Sequence, residues 1–320
     1  SPAPFDDELD VGYVFDDKGA EIVVRASKES IFVGALRAFG ANWWIWLPPA
    51  GLLTKSLYDG APFGWGDYVT FVYAGLAAAA LIFLIAPMIL YSQFQLAVVK
   101  AATGQAKLLL RLLELTSIFG GITKQQILAE RCKVISMAGN CDDALRLWEK
   151  QRNTMADDDY YQGLAAIHDA DGNIKAMLEA QHAYMETTSN KDLATVDVAM
   201  SLARYTEDVD AAERMLMEVA PSDLPEIALM GFQYARGLIA SQRGQHGQTL
   251  KHYEQAIQTA EQFAGVPLIL AIIAEINGQA ALTLKRTGKR DEAEMIWGQV
   301  GPLLGKHRSS ARLVSAYEAA

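Results

Sequence analysis

The chain has 320 residues and a formal net charge of −10 at pH 7, with 51% hydrophobic and 21% charged residues. That length accommodates two domains of ordinary size. The acidic balance excludes nucleic acid as a main partner, because phosphate binding needs a concentrated basic surface.

The first segment, residues 1–30, opens with "SPAPFDDELD", which is acidic and lacks the apolar core of a signal peptide; no cleavable leader is expected in it. Two β-rich runs, 11–15 and 21–25, flank Asp16-Asp17-Lys18-Gly19. This pattern predicts a small β-hairpin. A lone hairpin is marginal, so it is expected to lean on another surface.

Residues 31–99 predict a two-helix transmembrane hairpin, with spans at 31–53 and 68–95. Residues 68–90 run for 23 positions without a charge, enough to cross a bilayer core. Aromatic residues cluster at both ends of that run, and Pro87 predicts a kink. The first span holds "ANWWIWLPPAGLL" and is less regular; a re-entrant or interfacial segment is its alternative. Arg37 near its start reaches the headgroups, and Asn42 is placed to hydrogen-bond to the second span. Arg25, Lys28 and Arg37 precede the spans, and Lys100, Lys107 and Arg111 follow them. The intervening loop, 55–67, carries one lysine and two aspartates, so the positive-inside rule places both termini in the cytoplasm. The candidate lipid-facing residues are Arg37, Asn42, Trp43, Trp44, Trp46, Lys100, Lys107 and Arg111. Residues 100–122 predict a connecting helix with its three basic residues on one face, either toward anionic lipid or toward solvent.

From 123 to 320 the pattern is helices broken by short polar turns. A small residue opens each second helix: Ala144, Ala176, Ala212, Thr249 and Ala293, each after a turn rich in Gly, Asn or Asp. Four residues on stand Trp148, Leu216, Tyr253 and Trp297, with Ala180 as the exception. The recurrence predicts stacked helical hairpins, about five of them.

These spacings resemble the tetratricopeptide repeat family. The match is best in "QYARGLIASQRGQHGQTLKHYEQAIQTA", where Gly237, Gly244, Tyr253 and Ala256 fall at family positions and Thr249 replaces the usual alanine. Most repeats lack the early Trp, Leu-Gly and Tyr, and the resemblance covers about residues 123–305. It implies a protein-binding groove lined by first-helix residues: Tyr161, His168, Asp197, Arg204, Tyr205, Tyr234, Gln242, Lys285 and Arg286. Ordinary solvated helix faces remain the alternative for each. Membrane-anchored tetratricopeptide proteins of bacteria have a similar layout, which implies a bacterial inner membrane.

The chain has no G-x-G-x-x-G, Walker loop, H-E-x-x-H or C-x-x-C motif. "DADGN" (169–173) begins like a calcium loop, but its glycine comes early and Ala180 cannot ligate at position twelve. No catalytic residue, metal site or cofactor is expected. Cys132 and Cys141 are expected to be free thiols in a reducing compartment.

The expected fold is mostly α: a β-hairpin, a two-helix transmembrane hairpin and a C-terminal α-solenoid. The expected function is a non-enzymatic, membrane-anchored scaffold binding other proteins within a larger membrane complex, with self-association left open. The alternative is an accessory subunit of a membrane enzyme or transporter that binds a lipid or small molecule near the spans.

Overall fold

A computed structural model describes residues 15–28, 86–116, 122–206, 208–263 and 266–320, with positions 69, 72, 75 and 76. Among them the chain forms fourteen α-helices and no strand. The expected β-hairpin is therefore corrected. Its first run lies outside the described residues except for Phe15, and its second run falls within helix α1 (Lys18–Lys28). The Asp16 carboxylate accepts from the Lys18 amide at 2.9 Å, and the Asp17 carbonyl accepts from Ala20 and Glu21. The acidic pair read as a hairpin turn thus opens a helix. Ala20 and Val23, three residues apart, are buried with Phe15 in the main core. A Cβ on Gly19 would meet Asn277 Nδ2 at 2.8 Å and Ile257 Cγ2 at 2.9 Å. This burial outweighs the strand preference of the β-branched run.

The two-helix membrane hairpin is corrected as well. Residues 31–53 lie outside the described residues, as do most of 68–85. Among the described residues one helix alone, Pro267–Arg286, is long and apolar enough to cross a membrane, and most of it is buried inside the protein. The end of the expected second span forms helix α2 (Ala86–Val99), with Pro87 as its second residue. Phe94, read as an interfacial aromatic, is 0% exposed and packs with Leu109, Leu113 and Val134.

Helix α3 (Thr103–Thr116) folds back on α2. The corner is Ala101, at φ +52°. Its amide donates to Val98 O, and that of Ala102 to Ala97 O. This is a left-handed helix stop built on alanine where glycine is usual. It separates Lys100 from Lys107 and Arg111, so the three bases do not share one helical face.

Five helical hairpins follow. They are α4 (Lys124–Met137) with α5 (Cys141–Glu149), α6 (Asp157–Asp171) with α7 (Ile174–Thr187), and α8 (Lys191–Tyr205) with α9 (Val209–Met217). Next come α10 (Glu226–Gln242) with α11 (His246–Glu261) and α12 (Pro267–Arg286) with α13 (Arg290–Leu304), then a closing helix α14 (Ala311–Ala319). Four of the five turns carry a glycine at positive φ: Gly139, Gly172, Gly244 and Gly288. The α8–α9 turn uses Asp208 instead, whose carboxylate accepts from the Ala211 amide at 3.1 Å.

Ala144, Ala212, Thr249 and Ala293 are 0% exposed, where first and second helices meet. In α7, Ala176 is half-buried and Met177 is buried. That hairpin therefore runs one residue later than the sequence alignment had it, which accounts for the exception at Ala180. Close approach explains the large partners: a Cβ on Gly237 would lie 2.4 Å from Tyr253 Cε1, and one on Gly163 2.1 Å from Trp148 Cζ2. Trp297 instead stacks on Tyr317 of α14, with ring centroids 3.9 Å apart. One continuous core joins α1 to α8–α14, whereas the first two hairpins hold smaller clusters around Trp148 and Met177. Cys132 is buried and Cys141 half-buried, and both are free.

Candidate binding site on the inner face of the first helices

The site is built from the alternate helices α6, α8, α10 and α12. Arg204, on the last turn of α8, forms an ion pair with Glu275 in the middle of α12. Tyr234 of α10 donates its hydroxyl to the same carboxylate at 3.0 Å. The Arg204 guanidinium also lies 4.5 Å from the centroid of the Tyr205 ring. Tyr205 donates to Asp169 of α6 at 3.3 Å. Gln242 of α10 donates to the carbonyls of Ala203 and Thr206 and so satisfies the open end of α8. Burial works to lower the Arg204 guanidinium, but Glu275 outweighs it, with Tyr205, Tyr234 and Asp169, and holds the group above its ordinary range. The arginine therefore stays charged and binds three hairpins together.

The segment after α13 closes over this face. Arg308 pairs with Asp171 at 3.0 Å, and Arg312 donates to the Tyr205 carbonyl. His307 Nε2 lies 2.7 Å from the Val99 carbonyl, which fixes the proton on Nε2, since a carbonyl can only accept. Burial lowers the His307 pKa, so this ring is neutral at pH 7.

Two turns before Arg204 on the same helix, Asp197 has a different environment. It lines a cleft of about 250 Å³ between α6, α7 and α8, floored by Ala165, Ala166, Ala194 and Ser201. It has no hydrogen-bond or ion-pair partner among the described residues. Burial alone raises its carboxyl to about 6. Gln181 on the opposite wall likewise has a buried side-chain oxygen with no partner.

The structure thus brings Arg204, Tyr205, Tyr234 and Gln242 together, with Asp197 in the adjoining cleft. Arg286 is exposed on the rim of a second cleft that Arg204, Tyr205 and Gln242 also line. Tyr161 stands apart, edge-on to Tyr160 at 5.3 Å. His168 is half-buried, and burial lowers its pKa. Lys285 caps α14 through the Tyr317 carbonyl at 2.7 Å. Of the lipid-facing candidates, Arg37, Asn42, Trp43, Trp44 and Trp46 lie outside the described residues; Lys107 and Arg111 are exposed and Lys100 is half-buried.

No protein-family model matches this chain, and no curated protein sequence matches it. The helical-repeat architecture therefore rests on the structure, and the resemblance to tetratricopeptide repeats on the residues quoted above.

Sequence reasoning missed Glu275, Asp169, Arg308 and Arg312. Glu275 did carry a signal: it is the lone charge in residues 267–284. A buried carboxylate in so apolar a helix demands a partner. Among the described residues no group of three or more His, Cys, Asp or Glu side chains could hold a metal ion.

Proposed function

We propose that this chain is a membrane-attached helical-repeat scaffold that binds a partner protein on the inner face of its first helices. The observation that carries the reading is Asp197, a desolvated carboxyl with no partner, beside the unmatched Gln181 in an open cleft. Two acceptors without donors, walled by small residues, fit a lysine or arginine side chain of a partner. The overall charge of −10 favours encounter with a basic partner segment.

Membrane attachment is supported by the part of the charge-free run that precedes α2, residues 68–85, and by α3. Helix α3 buries Ala106, Leu109, Leu110 and Leu113 and exposes Leu108, Leu112 and Leu115 beside Lys107 and Arg111. An apolar stripe flanked by bases suits the surface of an anionic membrane, with the repeats on the cytoplasmic side. Affinity capture from native membranes under mild extraction, read by mass spectrometry, is expected to recover the chain with stoichiometric protein partners. Recovery as a lone monomer from the same membranes contradicts the proposal.

A further inference from the structure

A cavity of about 470 Å³ lies where the end of α2, the helices α4 and α12, and the segment after α13 meet. Its volume falls in the roughly 300–1,000 Å³ range of small-molecule sites. One side is apolar, formed by Val98, Val99, Leu268, Ile272 and Leu303. The other side is basic. Arg204 and Arg308 also line it, but Glu275 and Asp171 neutralise them. Lys133 and Lys306 have no ion-pair or hydrogen-bond partner for their ammonium groups among the described residues. Of the two acids that line the cavity, Glu275 is paired with Arg204, whereas Asp169 accepts from the neutral Tyr205 hydroxyl and keeps its single negative charge against the two lysines. The net uncompensated charge at the polar end is therefore positive.

The wall nearest α2 is held in place. The left-handed Ala101 ends α2 at the cavity, and His307 ties the Val99 carbonyl across it. An alanine held at positive φ costs about 1 kcal/mol relative to glycine, so the surrounding packing over-determines this corner. The helix whose end forms this wall is the last part of the charge-free run 68–99.

We propose that this cavity binds a single-chain amphipathic anion. The aliphatic chain lies along Val99, Leu268, Ile272 and Leu303, and the carboxylate or phosphate lies between Lys133 and Lys306. An apolar wall alone would accept a neutral chain; the two unpaired lysines select for the anionic end. Such a ligand comes either from free fatty acid or from a lysophospholipid of the membrane, and both present the same chemistry. This inference stands apart from the partner cleft: the two meet at Asp169 and Arg204, but none of α2, α4, α12 and the segment after α13, which hold the chain and the anionic end here, lines that cleft.

The test uses the full chain in nanodiscs of phosphatidylcholine, photolabelled with three diazirine probes of equal chain length: a fatty acid, a lysophosphatidate and a fatty alcohol. Adducts are mapped by tandem mass spectrometry. Adducts are expected on peptides containing residues 98–101 and 268–272 with either anionic probe, and at least tenfold fewer with the alcohol. The stronger anionic probe names the source. The double variant Lys133→Met/Lys306→Met is expected to lose at least tenfold of that labelling. Both side chains lack partners, so its circular dichroism should match that of the wild type. Ile272→Trp, which fills the cavity, should abolish labelling with the lysines intact. Equal labelling by the alcohol, or labelling at these peptides unchanged in the lysine variant, overturns the proposal; so does the absence of adducts there with both anionic probes.

Discussion

Two charged residues on one helix have opposite environments. Arg204 and Asp197 stand seven positions apart on α8 and point from the same face of the first helices. Arg204 meets the Glu275 carboxylate of α12, which also accepts from the Tyr234 hydroxyl of α10, and lies over the ring of its neighbour Tyr205. Asp197 meets none of these and is only desolvated. The contrast separates a charge that closes the repeats on themselves from a charge left over after they close. A desolvated charge with a full set of partners is structural; the half-buried Asp197 carboxyl, which has none, is a cost that folding gains nothing from, and it points to a missing partner.

The largest expected effect comes from breaking the satisfied side. Arg204→Met leaves Glu275 buried without its counter-charge and should lower the unfolding free energy by about 3–5 kcal/mol. Replacing both partners, Arg204→Met with Glu275→Leu, should restore most of that loss. Urea denaturation of the three proteins checks this, and a single-variant cost below about 1 kcal/mol would show that the pair does not hold the repeats.

The second effect has the opposite sign. The Asp197 carboxyl is raised to about 6 in the folded chain, above its unfolded value, so the native state binds the extra proton between those two values. Stability should therefore fall as pH rises through that window and level off above it. Asp197→Asn removes the penalty: a gain of about 2 kcal/mol at pH 8 and almost none at pH 4 is expected. Thermal melts at the two pH values measure it, and a loss of stability at pH 8 would place a structural partner on Asp197.

The smallest effect is expected at the exposed edge of the paired network. Arg308→Ala removes a half-exposed ion pair with Asp171 and should cost less than about 1 kcal/mol, and less still in 1 M salt. A salt-independent cost above about 2 kcal/mol would move Arg308 into the same structural class as Arg204.

The repeats were legible in the sequence where local chemistry repeats. A turn residue followed by a small one marks α5, α9, α11 and α13, because each of those positions is set by its own helix pair. The register slipped at α7, where Met177 takes the place of a small residue. Residues 18–28 misled for a tertiary reason: the β-branched run is apolar at helical spacing too, and only the surface of α12 decides between the two. The apolar end of the expected second span was read as facing lipid. A period-free apolar run looks the same whether lipid or protein covers it, and Phe94 is covered by protein. The inner-face network was half legible. Aromatic residues and an arginine on the first helices stand out in the repeat, but Arg308 and Arg312 reach partners more than a hundred residues away in the chain, which no local spacing encodes.

Recognition at Asp197 is settled most simply by comparing what wild type and Asp197→Asn capture from native membranes, at equal folded amounts and matched salt. One protein partner should be depleted at least tenfold in the variant while the variant itself melts higher at pH 8. An unchanged set of captured proteins, with the same gain in stability, would show that the unpaired carboxyl is no part of the binding surface.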